Sequence, residues 1–313
     1  MFGDGTDLPS WYGENSGAVV SLAIDKYCYI NLRTLPPFFH NRFRLSYSKI
    51  ELADSPADIE HPVIREAFKL YSNELSLELQ HLGELPAKSG IGSSSAFTVG
   101  LIHALKVLQG ITTDCKEIAE QAISLERNIL KEVVGSQDQI TSTFGGINLL
   151  KFGIGNTWTI NPINLSCEYQ ESLESRIVLL YSGIKRISPV FSNLHNSILD
   201  IKTSLLRETE QLALNFHELL VDEGDLDVVG EMFNASWQIK KELHPTTVTQ
   251  TVVDFLEYGL ENGAKGGKAL GNGGGGFFLF WVSPDSREQF IEKMSPSLHV
   301  PIRVSMEGTT RIL

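Results

Sequence analysis

Basic residues are in short supply in this 313-residue chain. Lys and Arg total 26 against 38 Asp and Glu, a net charge of −12. No local basic stripe offsets that balance, and an acidic surface repels phosphate backbones, so a nucleic-acid partner is not expected. Cysteine is sparse too: Cys28, Cys115 and Cys167 are odd in number, scattered and without a CxxC spacing. That pattern excludes a disulfide framework and points to reduced thiols in a cytoplasmic protein. The apolar runs at residues 18–24 and 277–282 fall far short of the roughly 20 residues a membrane-spanning helix needs, so no membrane role is expected. Residues 1–5 show neither the basic nor the apolar region of a secretory signal. The eight histidines stand singly with no HxxxH pair, so no histidine metal cluster is expected. Fixed-period repeats and low-complexity blocks are also lacking.

What is present is an ordinary globular composition, 42% apolar and 20% charged, long enough for about two domains. Residues 17–24 and 27–32 are β-branched and aromatic and predict neighbouring strands; 43–47 and 75–82 predict two more. Helical spacing marks residues 61–71. In residues 94–108, Phe97, Leu101, Ala104 and Leu108 recur at four, three and four, and in 115–131, Ile118, Ala122, Leu125 and Ile129 form a stripe. Strands are expected at 147–152 and 176–181. Past residue 190 three long helices are predicted, near 190–220, 226–242 and 249–262. A strand at 277–282, a short helix at 286–294 and a strand at 300–306 follow. Helices and strands come in runs, which favours an α+β class over an alternating parallel sheet. The shift in texture places a boundary within residues 161–174.

Three segments carry chemistry. In the first, a strand leads through Lys88, Ser89, Gly90, Ile91 and Gly92 into a helix opened by Ser93, Ser94 and Ser95. Glycines let the backbone turn tightly, and the first helical turn offers unpaired N–H groups and partial positive charge, an anion site suited to a triphosphate. The hydroxyls add donors or hard oxygen ligands for Mg²⁺; the plainer alternative is that the serines only cap the helix. A P-loop is excluded because Asn262 and Ala269 break the pattern around Gly267-Lys268, and the dinucleotide fingerprint fails at Ser95. The second segment holds Glu126, on the small-residue edge of its helix, and Asp138, after a glycine turn and between Gln137 and Gln139, amides able to orient it. One carboxylate for a metal and one for a hydroxyl proton suit phosphoryl transfer. Surface pairing of Glu126 with Lys131 or Lys116, and a capping role for Asp138, is the alternative. In the third segment eight glycines fall within residues 263–276. A cluster so costly in backbone entropy suggests close backbone approach, or a flexible hairpin.

Residues 86–96 resemble the PxxxGLGSSAA loop of the GHMP small-molecule kinases, residues 266–276 resemble their C-terminal glycine motif, and Gly3-Asp4-Gly5-Thr6-Asp7-Leu8-Pro9 resembles their GGGTDLP motif. Together with residues 23–27, 134–139 and Trp237-x-x-Lys240-Lys241-x-Leu243, the set is similar to the D-glycero-D-manno-heptose 7-phosphate kinase branch. The resemblance implies a ribosomal protein S5 domain 2-like N-terminal domain, residues 1–168, and a ferredoxin-like C-terminal domain, residues 169–313. It implies ATP held by Lys88 and Ser89 through Ser95, Mg²⁺ held by Ser94 and Glu126, and Asp138 as the base. Gly5, Thr6 and Asp7, with Gly273 and Gly274, would meet the sugar, and Arg186 would meet an anion. The family pattern departs at Lys88, where the loop usually has Gly, and at Asp4, which replaces a glycine. An opening strand of the form R-x-P-x-R-x-S-F has no counterpart before Phe2, so the edge of the N-terminal sheet is expected to be unpaired.

The expectation is therefore an ATP-dependent kinase acting on the anomeric hydroxyl of a heptose 7-phosphate. Phosphorylation of a free sugar such as fucose or galactose is the second reading, and an inactive binding module the third. Arg186, Lys240 and Lys241 are the candidate contacts for a distal phosphate. The oligomeric state, monomer or homodimer, stays open.

Overall fold

The computed structural model describes residues 1–72, 74–87, 89–184 and 196–312. In chain order the first elements are α1 (Pro9–Tyr12), β1 (Gly17–Leu22), β2 (Cys28–Thr34), β3 (Phe43–Ser46), β4 (Ile50–Ala53), α2 (Pro62–Tyr71) and β5 (Leu77–Gly83). Next come α3 (Ser93–Leu108), α4 (Cys115–Ser124), α5 (Gln137–Phe144), β6 (Ile147–Gly153), β7 (Thr157–Pro162), α6 (Cys167–Arg176) and β8 (Ile177–Tyr181). The last are α7 (Asn196–Val221), α8 (Val229–Leu243), α9 (Gln250–Glu261), β9 (Ala264–Ala269), β10 (Phe277–Val282), α10 (Arg287–Lys293) and β11 (Leu298–Val300). Lys88 and Arg186, and residues 190–195 of the long helix expected from residue 190, lie outside the described residues.

The chain forms two compact units that are interleaved in sequence. The first comprises Met1–Asp25, Ser89–Ile91 and Gly146–Val304, and the second Lys26–Lys88, Gly92–Gly145 and Ser305–Leu313.

The first unit holds two sheets. One is antiparallel in the order β1-β6-β7, with Val19 opposite Leu150 and Val20 opposite Leu149. The edge of β1, expected to be open, is paired at one point, where Phe2 and Val20 exchange both backbone hydrogen bonds. The other sheet runs β11-β8-β10-β9, all antiparallel. Its β10, Phe-Phe-Leu-Phe-Trp-Val, is buried at every position, as a strand covered on both faces must be. Leu279 and Trp281 enter one core with Phe2, Phe216 and Phe233; Phe278 and Phe280 enter another with Trp237, Leu256 and Phe290.

Two of the eight clustered glycines, Gly266 and Gly267, lie in a strand. Residues 264–269 are β9, and a Cβ on Gly266 would fall 1.9 Å from Gly230 O of α8. A Cβ on Gly267 would meet the Phe280 ring at 2.8 Å. The close approach that these glycines permit is to the chain's own helix and ring, not to a ligand.

The second unit is a four-stranded sheet, β2-β5-β3-β4, in which only β3 and β5 run parallel. Alternate residues Phe43, Leu45, Leu77 and Leu79 point into a core shared with Phe68 of α2, Leu101, Ile102 and Leu105 of α3 and Ile118 and Ala122 of α4. The strand expected at residues 300–306 is shorter and earlier, β11, and residues 305–312 instead run along α5. There Thr309 N donates to Thr143 O at 3.2 Å, and His103 Nδ1 lies 3.0 Å from Thr309 Oγ1. Gly145 and Gly308 make this possible, since a Cβ on Gly308 would sit 2.0 Å from Thr143 O.

Candidate active site

The N-terminus of α3 has no side-chain cap. Gly92 is its N-cap residue, left-handed at φ 79°, a conformation that costs an L-residue about 1–2 kcal/mol. The first N–H groups of a 16-residue helix therefore open onto an anion-seeking end. Ser93 Oγ contacts Pro86 O at 3.4 Å, and Ser94 is exposed. Ser95 is buried and donates its hydroxyl hydrogen bond to Glu126 Oε2 at 3.1 Å. The partner of Glu126 is thus Ser95 and not Ser94. The reason is helical phase: Ser95 shares the buried face with Val99 and Ile102, four and seven residues on.

Glu126 sits where α4 gives way to a π-helical turn, Leu125–Ile129, a departure from α geometry that recurs at functional sites. The residue is 1% exposed, which removes the surface pairing with Lys131 or Lys116. Its Oε2 also accepts from Gln139 Nε2 at 2.5 Å, while Oε1 is buried without a hydrogen-bond partner. Gln139 therefore orients Glu126 rather than Asp138.

Asp138 lies in the first turn of α5 and is exposed. It packs against the loop: a Cβ on Gly92 would come within 3.1 Å of Asp138 Cγ. The open helix end and the two carboxylates thus belong to one connected neighbourhood, through Gly92 to Asp138 and through Ser95 to Glu126 and Gln139. Arg127, next on the π turn, donates from Nε to Val134 O at 3.0 Å and from a terminal nitrogen to Ser136 Oγ, the N-cap residue of α5. One turn thereby aims Glu126 inward and anchors the segment that presents Asp138. Gln139 is expected from sequence beside Asp138 and instead serves Glu126, and Arg127 carries no sequence signal, because nothing in residues 115–131 marks a π turn. The phase of Ser95 was readable from Val99 and Ile102.

Whether these residues fit Mg²⁺ turns on the orphaned oxygen. A buried Glu126 Oε1 beside a serine hydroxyl is a hard-oxygen donor set, suited to an ion that takes one or two protein oxygens and completes its shell with phosphate and water. Among the described residues no group of three or more His, Cys, Asp and Glu side chains is placed to hold a metal by itself.

The first unit carries the remaining candidates. Ser89 is buried with an unpartnered hydroxyl, and Gly90 is left-handed at φ 90°. Asp7 is 1% exposed and accepts from Gly5 N at 3.3 Å. Thr6 is fully buried, and its hydroxyl serves Gly3 O at 2.8 Å, Ala18 O at 3.0 Å and Ala18 N at 3.2 Å. Its single proton is shared between the two carbonyls and one lone pair takes the Ala18 N–H, so the hydroxyl shapes the turn. Gly273, at φ 79°, packs where a Cβ would meet Val248 at 3.1 Å and Lys240 Cδ at 3.3 Å; Gly274 N donates to Asn272 Oδ1 at 3.3 Å.

Lys240 also differs from expectation. Its ammonium donates to Asp4 Oδ2 at 2.8 Å, Gly271 O at 2.6 Å and Ala269 O at 3.4 Å. An ammonium has three donors, and all three are engaged, so Lys240 is not a free contact for a distal phosphate. Burial would raise the Asp4 carboxyl pKa, but attraction to Lys240, the hydrogen bond from it and the charge of Lys268 outweigh that and hold it at about 2. Burial, reinforced by Lys240 and opposed by Asp4, pulls Lys268 from 10.5 down to about 7. Lys268 Nζ donates to Met1 O and stands 4.9 Å from the Phe2 ring centroid.

Comparison with known proteins agrees with this geometry. The family model described as GHMP kinases N terminal domain matches residues 62–146, and GHMP kinases C terminal matches residues 216–298, together more than half of the chain. A D-glycero-alpha-D-manno-heptose 7-phosphate kinase of Campylobacter jejuni is 27% identical over 305 residues, covering 94% of this chain and 90% of that protein. The crystal structure of a D-glycero-D-manno-heptose 1-phosphate kinase from Bacteroides thetaiotaomicron superposes with a TM-score of 0.80 at 20% identity, covering 98% of this chain and 94% of that one. Galactokinase from Lactococcus lactis, solved with galactose, gives a TM-score of 0.73 at 16% identity over 99% of this chain and 92% of its own. Uncapped helix, buried acid and matching family models lead to one assignment: the chain belongs to the GHMP kinases, ATP-dependent phosphotransferases.

Proposed function

We propose that this protein transfers the γ-phosphoryl group of ATP to the anomeric hydroxyl of a sugar phosphate, D-glycero-D-manno-heptose 7-phosphate, to give the 1,7-bisphosphate. The observation that carries this reading is the buried Glu126 carboxylate, held by Ser95 and Gln139 with one oxygen left unpartnered, at the same helix end where Gly92 meets Asp138. The Campylobacter jejuni relative supports the choice of sugar.

In this reading the open first turn of α3 and residues 89–95 hold the triphosphate. Its N–H groups are fixed before the reaction and face charge as it develops on the transferred group, the arrangement in which such donors lower a barrier most. Mg²⁺, when bound, neutralises charge on the β- and γ-phosphates; Glu126 would hold it, with Ser95 or Ser94. Asp138 hydrogen-bonds the sugar hydroxyl and accepts its proton as oxygen bonds to phosphorus and the bond to the β-phosphate oxygen breaks. Transfer of this kind is loose and needs little basicity, so placement is the main contribution of Asp138. Asp7 and the turn at Gly5 meet the sugar, with Arg186 as the contact for the distal phosphate. The division into domains 1–168 and 169–313 and a cytoplasmic setting go with the same reading.

The test is ADP release with Mg-ATP and heptose 7-phosphate against the dephosphorylated heptose. The phosphorylated sugar should be preferred by at least about 100-fold in kcat/KM, the size of one lost charge-assisted contact or more. Equal rates would remove the distal phosphate from the proposal and favour a free sugar. Asp138→Asn should lower kcat by about 10²–10⁴ with nucleotide affinity nearly intact; a variant with full turnover would unseat Asp138.

A further inference from the structure

Asp4 is where the chain departs from the glycine expected in the N-terminal motif, and the first unit contains a partner built for it. Lys240, in the last turn of α8, is 6% exposed. Its three donors divide between two loops: one goes to the Asp4 carboxylate, and the others to the carbonyls of Gly271 and Ala269 at the mouth of the glycine turn. The stem of the same side chain fills the space beside Gly273, where a Cβ would lie 3.3 Å from Lys240 Cδ. Gly273 is left-handed at φ 79° and Gly275 at φ 113°, so the turn bends around the lysine and Ile184. On the other side, Asp4 stands between Gly3, whose carbonyl accepts from the Thr6 hydroxyl, and Gly5, whose N–H donates to Asp7. One lysine thus ties the Gly3–Asp7 turn to the turn at residues 270–276.

We propose that Lys240 is a positioning residue for the acceptor sugar: with Asp4 it fixes the turn that presents Asp7 and, separately, fixes the glycine turn. The sugar-facing role of Asp7 rests on the function proposed above; the tie itself does not. The geometry also explains why the cation is a lysine. A planar guanidinium is suited to forked recognition of one carboxylate, whereas an ammonium distributes donors in three directions, as the carboxylate and the two carbonyls require. It explains the aspartate as well. A buried ammonium meeting carbonyls alone would be an uncompensated charge, and Asp4 supplies the counter-charge. That carboxylate is 38% exposed, so removing the lysine leaves it within reach of water.

Two variants separate the two ties. Lys240→Met removes both; Asp4→Asn removes the ion pair and leaves the bonds to Gly271 and Ala269. Hydrogen exchange on the full chain needs no activity to read. In Lys240→Met, amides of residues 3–7 and 270–276 should both exchange at least about 10-fold faster, as expected for loss of local protection. In Asp4→Asn only residues 3–7 should do so. Steady-state kinetics then test the positioning role: both variants should raise KM for the sugar by about 10-fold while KM for ATP stays within about twofold. Exchange unchanged in both segments would overturn the tie. Faster exchange with an unchanged sugar KM would keep the tie and remove its role in substrate placement. Were the wild-type protein inactive on every sugar tried, the function proposed above would fall while the exchange result still decided the tie.

Discussion

Glu126→Gln separates a catalytic carboxylate from a structural one by the sign of its effect on stability. The side chain is 1% exposed, and Oε1 has no hydrogen-bond partner. A buried polar group left unsatisfied costs on the order of 1–3 kcal/mol, and more when charged. Glutamine keeps the volume and leaves an oxygen able to accept from Ser95 and Gln139, as Oε2 does at 3.1 and 2.5 Å. The substitution exchanges an orphaned charge for a neutral amide. In EDTA and without nucleotide, the variant should therefore be more stable by about 1–2 kcal/mol, a rise of about 2–6 °C in Tm for a chain of this size. Activity should move the other way. With the anionic ligand gone, ADP release at saturating sugar should fall by about 10²–10³, comparable to the loss of one preorganised electrostatic group. Added Mg²⁺ should stabilise the wild type in the presence of ATP and leave the variant nearly unmoved. The reasoning fails if the variant melts several degrees lower while turning over normally, because the carboxylate would then be part of the fold and not of the chemistry.

Three further predictions address the supports of the site. Arg127→Gln, which breaks the bonds to Val134 O and Ser136 Oγ, should lower kcat by about 10-fold or more through displacement of Asp138, with lysine restoring less than half of the loss; initial rates at saturating substrates check it. Gly308→Ala would place a Cβ 2.0 Å from Thr143 O and should cost about 1–3 kcal/mol, read as a lower urea midpoint with the same slope. Lys268 titrates near 7 in the folded chain against 10.5 ordinarily, so between those values the unfolded chain holds a proton that the folded chain has released. Stability should therefore rise with pH across that window, by on the order of 1 kcal/mol per unit, and Lys268→Met should lose that rise; urea unfolding at pH 7 and 9 on both proteins measures it.

The parts of the fold legible in the sequence are those where burial and period coincide. β10 is apolar at every position and buried at every position, and α4 buries Ile118 and Ala122 as its stripe requires. The stripe drawn on α3 was rotated: Phe97 and Leu101 are buried, but Ile102 and Leu105 complete the face where Ala104 and Leu108 were expected. Elements with little to bury gave no signal. β7 alternates between exposed and half-exposed residues, α6 buries only Leu173, and β4 is four residues long. α5 passed unseen because Gln-Asp-Gln-Ile-Thr-Ser-Thr-Phe mixes polar and β-branched residues, and tertiary packing overrides its low propensity. The site was legible as residue types and not as pairings. Glu126 and Asp138 stood out as acids on opposite sides of a turn, but a hydrogen bond from Ser95 rather than Ser94 depends on helical phase. The bond from Gln139 to Glu126 depends on a turn that no local pattern announces.

These unannounced features share a location, and that is itself an argument for function. A helix start without a side-chain cap, a left-handed N-cap residue, a π turn in place of α and a buried carboxylate with one bare oxygen each cost stability alone. Of the other helices in the second unit, α4 is capped by Asp114 through Glu117 N and α2 by His61 through Ile64 N, while α5, which presents Asp138, has no side-chain cap. A chain selected only to fold has every reason to cap α3 as it caps α2 and α4, and to carry a neutral residue at 126. Departures scattered at random would suggest tolerance. Departures joined residue to residue, Gly92 to Asp138 and Ser95 to Glu126 to Gln139, are what the proposed function requires, since the stability given up there would supply the donors and the charge that phosphoryl transfer uses.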